Sequence, residues 1–247
     1  MGSVSFDRIA DSYDETRGGL ERGGNLAREI APLLRDGAVV EIGVGTGAVA
    51  LPLHRLGHPV AGLDLSLPML RRSRDRLGAC VAQGDGYRLP LRTAATPNVV
   101  IVWVLQLVPD LAGFLAEARR VLAPGGRLAV LPAGGQYEDD DIDAILRPMH
   151  HALRPPLDQP PQVVAAAEAV GLALADRVAV RGDVWRHSPE EQAERIEARA
   201  WSSLWDVPDD RWAAVVEPAL AALRALPDPG RQRQRRTHHD ILAFEHA

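Results

Sequence analysis

The stretch Glu41-Ile42-Gly43-Val44-Gly45-Thr46-Gly47 decides the fold of this chain. It continues the apolar run 38–40, so we expect a buried strand that turns directly into a glycine loop. Glycine leaves no side chain at such a turn, and a ligand can therefore approach the backbone closely. The loop predicts either a nucleotide-binding turn or only a tight turn between a strand and a helix.

Strands and helices alternate outward from this loop. We expect strands at 38–42, 59–63, 79–82, 99–105 and 127–131, and helices at 46–57, 66–77 and 110–122. The run 99–105 is apolar throughout, which suits the centre of a parallel sheet covered on both faces. Repeated strand–helix–strand units predict an α/β fold with a doubly wound parallel sheet.

The second half of the chain has a different pattern. Residues 134–161 are rich in Pro, Asp and His and predict an irregular excursion with a short helix at 142–153. Further helices are expected at 162–171, 188–205 and 210–226, and further strands at 177–181 and 233–245. Trp201 and Trp205 would then share one helix face, and Pro218 should bend or break the last helix.

Composition narrows the possible chemistry. All 28 of the Lys and Arg residues are Arg, which excludes a lysine Schiff base and a P-loop lysine. The single cysteine, Cys80, excludes an intrachain disulfide and a cysteine-built zinc site, and we expect it to be buried. A net charge of −5 argues against a broad nucleic-acid surface. The charged N-terminus and short apolar runs lead us to expect a cytoplasmic protein without a membrane segment.

Two carboxylates follow the second and third predicted strands. Asp64 stands at about the distance from the glycine loop at which a carboxylate accepts hydrogen bonds from both ribose hydroxyls. Asp85 follows the third strand, where it could accept from an adenine amino group. Gly43, Gly45 and Ala48 also fit a loose dinucleotide fingerprint, so the loop alone does not separate NAD from another adenosine cofactor.

Five segments in order resemble the class I S-adenosylmethionine-dependent methyltransferases. They are 6–14, 41–47, 63–66, 83–86 and 123–128, and the resemblance is to the methyltransferase type 11, or ubiquinone and menaquinone biosynthesis, branch. It covers roughly half of the chain and implies a seven-stranded, mostly parallel Rossmann-like sheet with a helical lid. It also implies S-adenosyl-L-methionine as the cofactor and methyl transfer to a small organic acceptor by in-line displacement.

The resemblance further implies roles for individual residues. Those expected to bind the cofactor are Tyr13, Arg17, Glu41, Gly43, Gly45, Gly47, Asp64, Leu65, Met69, Asp85, Gly86 and Val102. Glu41 and the glycine loop would line the methionine and ribose, Asp64 would bind the ribose hydroxyls, and Val102 would lie beside the methyl-bearing sulfur.

The remaining cofactor residues would enclose the base and the mouth of the site. Met69 would pack near the adenine, Asp85 with Gly86 would hold its edge, and Tyr13 with Arg17 would close over the cofactor. Three alternatives stay open: core packing for Met69, a turn cap for Asp85, and a surface position for Tyr13.

The sequence departs from the family in the loop after the fourth strand. Many relatives carry a histidine there, whereas this chain has Gln106, which cannot act as a base. A base for a hydroxyl acceptor must then come from elsewhere. The candidates selected as catalytic are His150, His151 and Tyr137, because residues 134–161 should cap the acceptor pocket.

We expect residues 1–247 to form a single domain. Residues 1–35 would form N-terminal cap helices, 36–132 the cofactor-binding core, 133–161 and 186–230 the acceptor lid, and 162–185 and 231–247 the last helix and strands. His54 and His58 lack a third ligand, so no metal site is expected.

Other functions stay open at this point. The resemblance implies a small-molecule acceptor. The acidic charge argues against a nucleic-acid partner, and we expect the Arg-rich run 231–236 to be a solvated loop. A homodimer, a cyclisation or rearrangement without methyl transfer, an RNA methyltransferase and an NAD enzyme remain alternatives. The sequence does not indicate which acceptor atom would be methylated.

Overall fold

The computed structural model describes residues 4–133, 136–137 and 140–247. The chain forms two compact units. The first comprises Met1–Gly134, Leu157–Val180 and Asp240–Ala247, and the second comprises Gly135–Pro156 and Arg181–His239. In the described part of the chain, no helix has the length and apolar character needed to cross a lipid bilayer.

The first unit is built on a mostly parallel sheet. Its strands are β1 (Val39–Ile42), β2 (Val60–Asp64), β3 (Val81–Gln83), β4 (Thr96–Val102) and β5 (Leu122–Leu131). They lie in the order β3-β2-β1-β4-β5 and pair in parallel, with Val39 of β1 between Val60 of β2 and Asn98 of β4. The carboxyl ends of β1, β2 and β4 therefore meet at one edge of the sheet, where ligands bind in open α/β sheets.

Three further strands complete the structure. They are β6 (Gln136–Tyr137), β7 (Leu172–His187) and β8 (Arg233–His246). β8 pairs antiparallel with β5, placing Phe244 opposite Leu128, and it also pairs with β6 and β7. The described residues thus contain eight strands, because the two-residue β6 adds one to the expected seven. The predicted α/β class and the mostly parallel sheet are confirmed.

The helices, with their bounds in chain order, are α1 (Val4–Asp7), α2 (Tyr13–Arg17), α3 (Gly19–Ile30), α4 (Ala50–Arg55), α5 (Leu67–Leu77), α6 (Leu111–Val121), α7 (Asp141–Leu153), α8 (Pro160–Ala169), α9 (Pro189–Glu197), α10 (Asp209–Arg211) and α11 (Glu217–Arg224). Short 3₁₀ turns lie at Ala31–Leu33, Leu105–Leu107 and Ser202–Leu204, and a π-helical turn lies at Trp212–Val216.

The central strand β4 feeds two apolar clusters, one on each face of the sheet. Val99 and Ile101 lie in a cluster with residues of α6 and α8, whereas Val100 and Val102 lie in a cluster with residues of α3 and α4. All four side chains are buried. This alternation follows from the two-residue repeat of a strand, and it confirms that the apolar run is the centre of a sheet covered on both faces.

Two helices have the N-cap side chains that the sequence predicts. Ser66 accepts a hydrogen bond from the backbone N–H of Met69 at the start of α5. Asp110 accepts one of 2.9 Å from the N–H of Gly113 at the start of α6. These caps satisfy N–H groups that a helix leaves without partners in its first turn, so they fix where each helix begins.

The second unit has its own apolar core. Buried side chains from α7, α9 and α11 meet there, among them Ile142, Ile196 and Leu223. A π-helical turn precedes α11, and Pro218 lies in the first turn of α11, where a missing N–H leaves no helical hydrogen bond unmade.

Two predicted boundaries near the glycine loop were wrong. The helix expected at 46–57 begins only at Ala50, because Gly43, Gly45 and Gly47 have φ angles of 78, 54 and 79°, which a right-handed helix cannot contain. The strand expected to reach residue 105 ends at Val102, since Trp103 has a φ angle of 55°.

Other predictions failed further along the chain. The helix expected at 188–205 ends at Glu197, and Arg199 follows with a φ angle of 51°, so that Trp201 and Trp205 do not share a helix face. Cys80 is exposed rather than buried. The strand expected at 233–245 is confirmed as β8, so the last four residues of the Arg-rich run 231–236 lie in that strand rather than in the expected loop.

Candidate functional site

The ends of β1 and β2 bring a carboxylate against the glycine loop. Asp64 is the last residue of β2, and its Oδ2 accepts a hydrogen bond of 2.8 Å from the backbone N–H of Gly45. Its Oδ1 accepts another of 2.8 Å from the backbone N–H of Ser66. A carboxylate has about four lone-pair sites, so these two bonds leave Asp64 with capacity to accept from further donors. Burial raises the pKa of Asp64, and these N–H donors oppose that shift.

Glu41 lies in β1, the strand beside β2, and is 2% exposed. Burial, and secondarily the negative charge of Asp64, raise the pKa of Glu41 to about 8. None of the described residues gives its Oε2 a hydrogen-bond partner. A buried polar oxygen without a partner costs free energy, so this oxygen marks a place where a bound molecule could donate a hydrogen bond.

The glycines of the loop serve different purposes. A Cβ on Gly43 would lie 2.3 Å from Cγ2 of Val104, and one on Gly47 would lie 3.3 Å from Cβ of Ser73. A Cβ on Gly45 would have no atom within 4 Å. Gly43 is therefore required by packing, whereas Gly45 faces open space beside Asp64.

The N-terminal strap, which we define as residues 4–18, lies against this edge of the sheet. Burial raises the pKa of Tyr13, and the negative charge of Asp64 adds to that rise. The positive charges of Arg17 and Arg22 oppose that shift. The structure thus brings Tyr13 and Arg17 to the same region as Asp64, as the resemblance implies.

The residues expected around the adenine are divided between exposed and buried positions. Leu65 is 44% exposed, while Met69 on α5 is buried. Asp85 is exposed, and its Oδ1 accepts a hydrogen bond of 2.9 Å from the N–H of Tyr87, so it does cap a turn. Gly86 is buried in the first unit.

Packing explains why residue 86 is a glycine. A Cβ at this position would lie 2.2 Å from Cε2 of Phe114. The edge of the Tyr87 ring meets the same phenylalanine at a centroid distance of 5.3 Å. The glycine therefore serves the core beneath the turn, and the sequence pattern did not indicate this.

The end of β4 carries a strained residue. Val102 is buried at the last position of the strand, and Trp103 follows with a positive φ angle. The guanidinium of Arg22 lies 3.9 Å from the centroid of the Trp103 ring. Gln106, which replaces the expected histidine, donates from its side chain to the carbonyl of Trp103 at 3.3 Å. Its amide thus supports the turn.

The catalytic candidates lie in the second unit. His150 on α7 is partly buried, its Nδ1 is 3.0 Å from Oγ of Ser203, and its ring meets Trp201 edge-on at 5.3 Å. Burial, with a smaller effect of His151, lowers the pKa of His150 to about 4. His151 is exposed. Tyr137 is part of β6, and its side chain lies outside the described residues.

Sequence reasoning missed three residues that shape the site. Thr46 donates from Oγ1 to Oδ1 of Asp14 at 2.7 Å, and Arg76 pairs with the other carboxylate oxygen of Asp14. Arg76 also donates to the carbonyl of Thr46 at 2.9 Å. Asp14 and Thr46 belong to the two segments that carried the resemblance, but nothing in a helical pattern of α5 distinguishes Arg76 from its neighbouring arginines.

Part of the chain matches a known protein family. Residues 40–130, which include the glycine loop and Asp64, match the family described as a methyltransferase domain. This part of the first unit is therefore similar to a methyltransferase domain. The chain is 28% identical over 235 residues to a demethylmenaquinone methyltransferase of Mycolicibacterium gilvum, and the match covers 91% of this chain and 93% of the relative.

A second relative matches the chain over a shorter region. It is the demethylmenaquinone methyltransferase of Tropheryma whipplei, 34% identical over 136 residues, which are 51% of this chain and 56% of the relative. The chain thus spans little more than half the length of that relative. Among solved structures, phosphoethanolamine N-methyltransferase 2 of Haemonchus contortus, determined with S-adenosylhomocysteine, shares the fold with a TM-score of 0.58. It is 19% identical, and the match covers 98% of this chain and 58% of that chain.

The site residues fit S-adenosylmethionine, the cofactor that the resemblance implies. The remaining acceptor capacity of the Asp64 carboxylate suits donation from hydroxyl groups. The buried Oε2 of Glu41 has no partner among the described residues and matches a cationic or N–H donor. The open space beside Gly45 admits a ligand close to the backbone. Hydroxyls, an ammonium group and a close approach are what an adenosyl amino acid presents.

Proposed function

We propose that this chain transfers a methyl group from S-adenosylmethionine to a small organic acceptor. The observation that carries the proposal is the Asp64 carboxylate, which is oriented by the N–H groups of Gly45 and Ser66 and can still accept from further donors. It lies beside the open space at Gly45 and one strand from the buried Glu41.

Each group has a separate part in holding the cofactor. Asp64 accepts hydrogen bonds from the two ribose hydroxyls through the lone pairs that the backbone N–H groups leave free. Glu41 accepts from the amino group of the methionine portion, and the cation lowers the pKa of Glu41 by stabilising its charged form. Leu65, exposed directly after Asp64, provides an apolar surface for the adenine ring.

The chemistry itself asks little of the protein. The cofactor supplies a methyl group on a positively charged sulfur, which is already activated for displacement. The protein must place the acceptor in line with that methyl group and keep it there. We propose that Val102 and the Trp103 turn at the end of β4 line this side of the site, because β4 lies next to β1 in the sheet.

A general base remains a proposal with three candidates. With its pKa lowered to about 4, His150 is neutral at neutral pH and can accept a proton, but it is a weak base. It would serve only an acceptor whose hydroxyl is itself acidic. His151 and Tyr137 are the alternatives.

The acceptor that we propose to test first is demethylmenaquinone in its reduced form. Its support is that both relatives described above are named demethylmenaquinone methyltransferases. The 28% identity to one of them extends over 91% of this chain, including the second unit. A cyclisation without methyl transfer and an RNA substrate are the other outcomes of the same experiment.

The experiment supplies methyl-labelled S-adenosylmethionine with reduced demethylmenaquinone, with a panel of phenols, carboxylates and amines, and with total RNA. Label in the quinone supports both the activity and the acceptor. Label in another small molecule supports the activity and replaces the acceptor. Label only in RNA, or a changed acceptor without label, contradicts the proposal. Asp75→Asn, an exposed change on α5, is the control for Asp64→Asn.

A further inference from the structure

Three carboxylates of the N-terminal strap are fastened on or beside α5. Asp7 accepts a hydrogen bond from the hydroxyl of Ser66, the residue before α5. Asp11 pairs with Arg72 at 2.8 Å. Asp14 pairs with Arg76.

The third fastening point differs from the other two because it closes a triangle. The Asp14 carboxylate accepts from Arg76 through one oxygen and from the Thr46 hydroxyl through the other, the latter at 2.7 Å. Arg76 completes the triangle by donating from Nη1 to the Thr46 carbonyl at 2.9 Å and to its hydroxyl at 3.2 Å. Every member therefore contacts both others, and such networks hold one geometry better than isolated pairs.

The triangle is also better shielded from water than the neighbouring ion pair. The side chains of Arg76 and Asp14 are 21% and 19% exposed, against 37% and 100% for Arg72 and Asp11. Thr46 is 1% exposed. Exposed ion pairs contribute little to the free energy of unfolding, whereas hydrogen bonds to charged groups in partly buried positions contribute more.

The fastening points adjoin the groups that we propose bind the cofactor. Thr46 directly follows Gly45, whose N–H orients Asp64, and Ser66 donates its own N–H to Asp64. Holding Thr46 by its carbonyl and its hydroxyl thus holds the glycine loop. Because Asp14 directly follows Tyr13, holding Asp14 also restrains the position of Tyr13.

We propose that Asp14, Thr46 and Arg76 form a latch that closes the N-terminal strap over the glycine loop, and that the cofactor enters and leaves when this latch opens. Asp14 and Arg76 are positioning residues, since they act on the cofactor through the glycine loop and Tyr13. The proposal rests on the proposed function, because it takes the edge at Asp64 as the cofactor site.

The test measures the affinity and the dissociation rate of S-adenosylhomocysteine for wild type, Asp14→Asn and Arg76→Gln, together with amide hydrogen exchange of residues 13–18 in the free protein. Asp11→Asn is the matched control, since it breaks an ion pair between the same two segments without touching Thr46. Arg76→Lys keeps the charge but loses the planar fork, and it serves if Arg76→Gln does not fold.

The latch predicts that the Kd rises roughly tenfold in Asp14→Asn and in Arg76→Gln, that dissociation and exchange of residues 13–18 become faster, and that the double variant is no worse than either single variant. Arg76→Lys should lie between wild type and Arg76→Gln, and Asp11→Asn should stay within about twofold of wild type. Unchanged affinity in folded Asp14→Asn and Arg76→Gln overturns the latch.

The hydrogen-exchange measurement separates failure of the latch from failure of the proposed function. Absence of S-adenosylhomocysteine binding in wild type contradicts the function. Faster exchange in Asp14→Asn than in Asp11→Asn would still support the latch as a closure of the strap. Equal exchange in these two variants overturns it whether or not the ligand binds.

Discussion

The carboxylate of Asp64 and the backbone N–H of Gly45 are joined by a hydrogen bond of 2.8 Å across 19 positions of the chain. This bond ties the end of β2 to the loop that follows β1. It fixes the orientation of a carboxylate that still has acceptor sites to offer. Glu41, Thr46 and the N-terminal strap all lie around this hydrogen bond, so it is the centre of the site.

The buried Glu41 should make stability depend on pH. Its pKa is raised to about 8 in the folded chain, so the folded state holds a proton that the unfolded chain releases above about pH 4.5. Stability should therefore fall as the pH rises from about 4.5 to 8.

Glu41→Gln removes this proton linkage while keeping the size of the side chain. At pH 7 the variant should be more stable than wild type, by on the order of 1–3 kcal/mol, and the difference should shrink towards pH 4.5. Urea unfolding of both proteins at pH 5 and pH 7.5 measures it. A constant difference between the two pH values would contradict a raised pKa at Glu41.

Two glycines should respond differently to alanine. At Gly86 a Cβ would lie 2.2 Å from the Phe114 ring, and overpacking of this kind costs about 1–3 kcal/mol or more. At Gly45 a Cβ would meet nothing within 4 Å, and only the positive φ angle of 54° costs about 1–2 kcal/mol.

Gly86→Ala should therefore lose more stability than Gly45→Ala, while Gly45→Ala should lose more affinity for S-adenosylhomocysteine in its folded form. Thermal unfolding and calorimetry at a temperature where both variants are folded test the pair. The reverse order of affinities would show that the open space at Gly45 is not the ligand side.

His150 should give the opposite pH dependence to Glu41. Its pKa is lowered to about 4, so the unfolded chain binds a proton at a higher pH than the folded chain does. The contribution of His150 to the free energy of unfolding is therefore fully present above about pH 6.5, and it is lost as the pH falls towards 4.

Between pH 7 and pH 5 the loss at His150 should be about 2 kcal/mol, and His150→Phe should abolish it while keeping a ring against Trp201. Since Glu41 has the opposite effect in this range, each variant is compared with wild type at the same pH. An NMR titration that finds His150 charged at pH 6 would contradict the lowered pKa.

Much of the first unit could be predicted from the sequence because its signals are local. The apolar alternation of β4 and the caps at Ser66 and Asp110 each act within a few residues, and they correctly located a strand and two helices. The glycine loop and Asp64 stand at a spacing that the α/β topology converts into a contact.

Long-range pairing explains what could not be predicted. β7 extends over 16 residues because β8 pairs with it, and no local pattern of the polar residues at its end indicates a partner. The contact of Arg76 with Asp14 spans 62 positions of the chain. Gly86 is fixed by Phe114, which lies on a helix far along the sequence. Such constraints arise only when distant elements pack.

The most direct measurement of the central claim is calorimetric titration of wild type and Asp64→Asn with S-adenosylhomocysteine, with Asp75→Asn as the control and NAD as the competing ligand. Wild type and Asp75→Asn should both bind S-adenosylhomocysteine and should not bind NAD. Asp64→Asn, although folded, should bind roughly a hundredfold more weakly, because two hydrogen bonds to a charged group are lost. Equal affinity in wild type and Asp64→Asn, or binding of NAD alone, would contradict the central claim.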